Sequence, residues 1–190
     1  MEWKFNMPIV QCTRHIKPAV FLDRDGVLTE EKGYVTSIEN LKIFPYTAEC
    51  IQQIHKKGYY AIVITNQSGI ARGLFTENKL QEMNDYLMRQ IGVDAIYYCP
   101  HHPEGEIEKY KKKCNCRKPE TGMIEIACQE FKIDMQKSYM IGDRADDIIV
   151  GHRVGIKTIL LESGYGTARL EKDVRPDYIL KDLRDVMKIL

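Results

Sequence analysis

The sequence predicts an α/β protein: a three-layer, doubly wound, mostly parallel sheet with helices on both faces. Two observations carry this. Short apolar runs at 19–22, 60–65, 95–99, 139–141 and 158–161 have the length and continuity of strands buried on both sides. Between them apolar residues recur at helical spacing, and strands alternating with helices imply βαβ units. A chain of 190 residues is long enough to build one such domain around its own core.

The elements follow in order. The first run, Ala19-Val-Phe-Leu, leads straight into Asp23-Arg-Asp-Gly, where Gly26 allows a sharp turn. Ala48, Ile51 and Ile54 line one helical face before Gly58 stops the segment. After the second run, Leu80, Met83, Leu87 and Ile91 mark a second helix, with Thr76 as N-cap and Gly92 as terminator. Residues 100–119 are too polar and too proline-flanked for a regular element. Ile124, Ala127 and Phe131 indicate a third helix, Ile148 and Val154 a short fourth, and Leu183, Val186 and Leu190 a last one. No repeat, low-complexity stretch or linker divides 19–190, so these residues are expected to form a single domain with no large cap. Residues 1–18, which include Pro8 and Pro18, are expected to form an N-terminal arm.

Charge narrows the function classes. The 28 basic and 27 acidic side chains nearly cancel, so nothing pulls the chain as a whole toward nucleic acid or acidic lipid. No run approaches the roughly 18 apolar residues of a membrane span, and residues 1–18 lack the apolar centre of a signal peptide. The expectation is a cytoplasmic monomer with no membrane or nucleic-acid partner.

In a parallel sheet, ligands bind beyond the carboxyl ends of the strands. Four successive strand ends here carry reactive or polar residues: Asp23 and Asp25; Thr65, Asn66, Gln67 and Ser68; a cysteine–histidine loop ending in Arg117 and Lys118; and Asp143, Asp146 and Asp147. Singly, each has an ordinary reading as a turn, a cap or a first-turn helix acid. Together, Asp23, Asp25 and Asp143 make a credible Mg²⁺ site. Thr65 and Asn66 offer donors to phosphate oxygens and Lys118 a positive charge, a set suited to phosphoryl transfer.

The segments Phe21-Leu-Asp-Arg-Asp-Gly, Val63-Ile-Thr-Asn-Gln-Ser-Gly-Ile-Ala-Arg-Gly, Cys114-Asn-Cys-Arg-Lys-Pro and Met140-Ile-Gly-Asp resemble the motifs of the haloacid dehalogenase superfamily of phosphatases. Within it, Tyr97-Tyr-Cys-Pro-His-His-Pro is similar to the subgroup of heptose-bisphosphate and histidinol phosphatases. The resemblance covers about residues 19–161. It implies Asp23 as nucleophile, forming an aspartyl-phosphate, and Asp25 as general acid and then base. It implies Mg²⁺ held by Asp23, Asp143 and the backbone carbonyl of Asp25, with Thr65, Asn66 and Lys118 on the phosphate. Substrate contacts would come from Glu31, Lys32, Gly33, Tyr34, Thr65, Asn66, Gln67, Ser68, Arg117 and Arg144. At position 144 the family often has lysine, and Val27 stands where it often has threonine. The implied substrate is a small phosphorylated sugar, a heptose bisphosphate in activated-heptose biosynthesis. Histidinol phosphate is the alternative, and a DNA 3′-phosphatase or zinc-stabilised nucleic-acid-binding module a remote one.

Of six cysteines, Cys99, Cys114 and Cys116 cluster, which in a reducing compartment points to metal. Cys99-Pro-His101 and Cys114-Asn-Cys116 supply the four ligands of a closed tetrahedral zinc site, structural in role because no position stays open for water. His102 is an alternative ligand, and the subgroup pattern favours His101. Such a Zn²⁺ would pin the irregular loop and hold Arg117 and Lys118 over the site. Lys109, Lys111, Lys112 and Lys113 make the loop basic, but Tyr110 is its lone base-stacking aromatic, so an anionic sugar phosphate is the better partner. Cys12, Cys50 and Cys128 are expected to be small buried hydrophobes.

Overall fold

The computed structural model describes residues 16–190. Most of the expected arm, and Cys12, therefore lie outside the described residues. A six-stranded, all-parallel sheet forms the middle layer, in the order β3-β2-β1-β4-β5-β6. Its strands are β1 (Ala19–Leu22), β2 (Tyr60–Asn66), β3 (Ala95–Cys99), β4 (Tyr139–Gly142), β5 (Lys157–Leu161) and β6 (Tyr178–Leu180). The helices are α1 (Thr47–Lys56), α2 (Glu77–Ile91), α3 (Gly122–Glu130), α4 (Ala145–Arg153) and α5 (Leu183–Val186).

Strand side chains alternate between two faces, and both faces are apolar because both are covered. Val20, Leu22, Ala61, Val63 and Ile141 pack with Ile51 and Ile54 of α1, Leu80, Met83 and Leu87 of α2, and Leu183 and Val186 of α5. Ala19, Phe21, Ile62, Ile64 and Met140 face the other way, against Met123, Ile124 and Ala127 of α3 and Val150 of α4. β1 pairs with β2 on one side and β4 on the other, so the strand order reverses between β1 and β4. That reversal opens a crevice at the carboxyl ends of these two strands, where Asp23 and Asp143 emerge.

The expected helix signals hold in detail at α2. Thr76 Oγ1 accepts from the Lys79 amide, and Gly92 closes the helix at φ +74°. Several expectations need correction. β6 was not foreseen: at three residues, with Ile179 51% exposed at the sheet edge, it lacks the apolar run of a central strand. The last helix is shorter than its apolar spacing suggests, and Phe131 lies just beyond α3 in extended backbone. Residues 100–119 contain one short 3-10 turn, Glu108–Tyr110. Cys50 is buried as expected, but Cys128 is exposed on α3, where its thiol lies 3.6 Å from Met135 Sδ.

Candidate active site

The crevice is a cavity of about 230 Å³ above β1, β2 and β4, and it gathers nearly every expected site residue. Asp23, Asp25, Glu31, Gly33, Tyr34, Thr65, Asn66, Gln67, Ser68, Arg117, Lys118 and Arg144 all line it. Lys32 does not. Its ammonium pairs with Glu30 at 2.9 Å on the surface, and at 42% exposure it keeps its charge in water. Asp146, Asp147 and Tyr165 also line the cavity, and only the first two were visible as strand-end residues.

Asp23, Asp143 and Asp147 are all buried, each offering a carboxylate oxygen within 4.8 Å of the others. Asp143 is fully buried, and one of its oxygens accepts from the Tyr165 amide at 2.8 Å. Its other oxygen has no hydrogen-bond partner, and Arg144 Nε stands 4.0 Å away. Burial, then the charges of Asp23 and Asp147, push the Asp143 carboxyl up to about 8. Small residues make this packing possible. A Cβ at Gly26 (φ +85°) or at Gly164 would collide with the Asp143 carboxylate.

Lys118 is buried among these acids. Its Nζ stands 2.9 Å from Asp23 Oδ1 and 2.6 Å from Asp147 Oδ1, and donates to the Ile64 carbonyl at 2.8 Å. Burial alone would lower its pKa, but Asp147 and Asp23 outweigh burial and raise it, so Lys118 stays charged. Asp147 has both oxygens engaged, one by Lys118 and one by the Arg144 amide at 3.1 Å. It thus serves as first-turn acid of α4 and as anchor of Lys118.

Asn66 lines the cavity and also braces the loop: its amide nitrogen donates to the Lys118 carbonyl and its oxygen accepts from the Lys118 amide, both at 3.0 Å, so its side chain holds the Lys118 backbone. Thr65 Oγ1 accepts from Gln67 Nε2 at 2.9 Å, which leaves its own hydrogen to give. The Asp25 carboxylate stands outside the acid cluster, bound by Arg24, Thr29 and Gln67. Arg144 donates to Glu31 at 3.1 Å, and its guanidinium lies 4.2 Å from the ring centroid of Tyr165, forming one wall.

Three sulfurs and an imidazole meet beside this cavity. Cys99, Cys114 and Cys116 have Sγ separations of 3.0 to 3.4 Å, and His101 Nδ1 lies 3.3 Å from Cys116 Sγ. All three cysteines are free, and the four donor atoms fall within 4.8 Å of one another. The donor set is that of a closed tetrahedral zinc site, and thiolates spreading by about half an ångström would reach the ~3.8 Å edge that zinc–sulfur bonds of about 2.3 Å require. Hydrogen bonding from Cys99 leads the effects that pull the Cys116 thiol down to about 5, so it readily becomes a thiolate. His102 is not part of the cage: its Nδ1 accepts from the Glu104 amide. The loop is tied to the site by Arg117 Nη1 on the His101 carbonyl and by the Glu106 amide on the Ala71 carbonyl.

A doubly wound sheet whose order reverses at an Asp-x-Asp strand end, with a lysine and further acids converging there, defines a hydrolase of the haloacid dehalogenase type. A HAD-hydrolase-like family model matches residues 115–186. The chain is 40% identical over 177 residues to a D-glycero-beta-D-manno-heptose-1,7-bisphosphate 7-phosphatase of Haemophilus ducreyi, covering 90% of this chain and 97% of that protein. With the Escherichia coli K12 protein of the same name it shares 39% identity over 89% of this chain and 91% of the other. The D,D-heptose bisphosphate phosphatase of B. bronchiseptica, solved with magnesium and phosphate, superposes with a TM-score of 0.77 at 29% identity, covering 90% and 97% of the two chains. The chain belongs to the D-glycero-beta-D-manno-heptose-1,7-bisphosphate 7-phosphatase family and is a phosphoric monoester hydrolase.

Proposed function

We propose that this phosphatase removes the 7-phosphate of D-glycero-D-manno-heptose 1,7-bisphosphate through an aspartyl-phosphate on Asp23. The observation that carries the chemistry is the seating of Lys118 Nζ against Asp23 Oδ1 at 2.9 Å, with Asp147 behind it. A nucleophilic carboxylate beside a phosphate dianion needs its charge offset and its direction fixed, and Lys118 supplies both.

In the first step an Asp23 oxygen attacks phosphorus, the bond from phosphorus to the sugar oxygen breaks, and Asp25 gives its proton to that oxygen. In the second step Asp25 takes a proton from water as the water attacks the acyl phosphate, which releases phosphate and restores Asp23. Thr65 donates its hydroxyl hydrogen to a phosphoryl oxygen. Arg117, Arg144 and Tyr34 line the outer cavity, where the remainder of an anionic sugar would lie. Asp143 Oδ1, buried and without a partner, fits a hard cation. Asp23, Asp143 and the Asp25 carbonyl would hold Mg²⁺. When bound, it offsets the crowding of carboxylates and phosphate and draws electron density from phosphoryl oxygen. Asp147 is not assigned to it, because both its oxygens are engaged. The Cys99, His101, Cys114 and Cys116 cage would hold Zn²⁺ in a structural role.

Among the described residues no helix is long and apolar enough to cross a membrane. We take the enzyme to act as a cytoplasmic monomer without nucleic-acid partners. Phosphate release should require Mg²⁺ and disappear in Asp23→Asn. Turnover on heptose 1,7-bisphosphate should exceed that on histidinol phosphate, and the reverse preference would replace the substrate assignment.

A further inference from the structure

The segment that follows β5 returns to the cavity and is tied there by its backbone. Ser163 Oγ donates to the Gly26 carbonyl at 2.6 Å, the Tyr165 amide to Asp143 Oδ2 at 2.8 Å, and the Gly166 amide to the Asp143 carbonyl at 3.0 Å. These bonds fix the backbone that carries the Tyr165 ring. Two guanidiniums lie on that ring: the Cζ of Arg144 and the Cζ of Arg169 each stand 4.2 Å from its centroid. The Arg144 side chain is 47% exposed, so burial does not hold it in place. One of its five N–H donors goes to Glu31 Oε2 at 3.1 Å, and among the described residues no other is hydrogen-bonded.

We propose that Tyr165 is a positioning residue that holds the Arg144 guanidinium toward the remote anionic end of the sugar substrate. The proposal rests on the substrate reading given above. An exposed arginine samples many rotamers, and freezing them when a ligand binds costs affinity. An aromatic face removes part of that cost in advance, because a planar guanidinium stacks on it and is drawn to its π-electrons. Glu31 takes one edge of the guanidinium and Tyr165 one face. The remaining donors are left for an anion in the cavity that all three residues line. Arg169 makes the same contact with the ring and so helps to hold its plane. A lysine at 144 would offer no planar face, so the arginine found here and the ring at 165 suit one another.

The test reads the ratio of kcat/KM on heptose 1,7-bisphosphate to that on D-glycero-D-manno-heptose 7-phosphate. The two substrates share the scissile phosphate and differ in the second anionic group. Tyr165→Leu keeps the backbone amide that meets Asp143 and should lower the ratio about tenfold, the size of one lost cation–π contact. Tyr165→Phe, which keeps the ring, should bring it back to within about twofold of wild type. In an Arg144→Met background, Tyr165→Leu should change the ratio by less than about twofold, because the group it positions is gone. A ring that served only as packing would depress both substrates alike. An unchanged ratio in Tyr165→Leu, or the same drop with and without Arg144, would therefore overturn the proposal. The wild-type ratio tests the substrate reading by itself: a value near one would show that the second phosphate is not recognised, and would remove that reading and the proposal together. A high wild-type ratio that Tyr165→Leu leaves intact removes the proposal alone.

Discussion

Lys118 Nζ lies 2.6 Å from Asp147 Oδ1, and this pairing couples the cysteine–histidine loop to the first turn of α4. Both side chains are buried, at 3% and 1% exposure, so neither charge has solvent to fall back on. Lys118 in turn reaches Asp23, which makes one ammonium the counter-charge for two acids from different parts of the chain.

Removing that ammonium should be severe. Lys118→Met leaves the buried Asp23 and Asp147 without a counter-charge, and breaking a buried pair from one side costs about 3–5 kcal/mol. Urea unfolding should show a loss of that size. Asp147→Asn leaves Lys118 paired to Asp23 and should lose less stability. Its phosphatase activity should fall, since Lys118 is no longer anchored. Equal unfolding midpoints for Lys118→Met and wild type would contradict the burial argument.

Stability should depend on pH through Asp143, and Mg²⁺ should reverse the dependence. Its folded-state value of about 8 lies far above the 3.8 of an ordinary aspartate. Between those values the folded chain holds a proton that the unfolded chain has released, so metal-free stability falls as pH rises through that window. A cation at the site displaces the proton and stabilises the anion. The Tm gain on adding saturating Mg²⁺ should therefore be larger near pH 8 than near about pH 5. A gain that is the same at both values would show that Asp143 does not meet the cation.

The cysteine cage predicts a stability effect separate from chemistry. Cys114→Ser should reduce bound zinc by about one equivalent, read by metal analysis, and lower Tm, because binding energy at a closed site is folding energy. Activity should fall with it, since Arg117 donates to the His101 carbonyl inside the same loop. Unchanged zinc content would remove the assignment of these four residues.

Space around Asp143 should be as limiting as its charge. In Gly164→Ala the new methyl would meet the Asp143 carboxylate. Overpacking of this kind costs about 1–3 kcal/mol. Here it should also weaken Mg²⁺ dependence, measured as a rise in the concentration giving half-maximal activity. Full Mg²⁺ affinity in that variant would show that the carboxylate can shift without loss.

Legibility from sequence tracked locality. Apolar runs of three to six residues mark β1 to β5 because strands covered on both faces are apolar along most of their length. β6 escaped because an edge strand of three residues carries no such constraint. Thr76 and Gly92 announced α2 because caps are local chemistry. The cysteine pairs are readable because metal ligands must sit at short spacing, and the subgroup pattern favours His101 over His102; the fold agrees, turning His102 onto the Glu104 amide.

Sequence by itself determined the fold class, the strand ends that would carry the chemistry and the identity of the acids and thiolates. Only the tertiary structure decided what each does to its neighbours. Lys118, expected as a free charge for phosphate, is packed against Asp23 and Asp147. Asn66 holds the Lys118 backbone, Lys32 turns to solvent, and Arg24 pairs with Asp25. The physical reason is that residue type and spacing specify which groups a chain carries. Charge pairing, burial and hydrogen-bond direction depend on distances between segments brought together by folding.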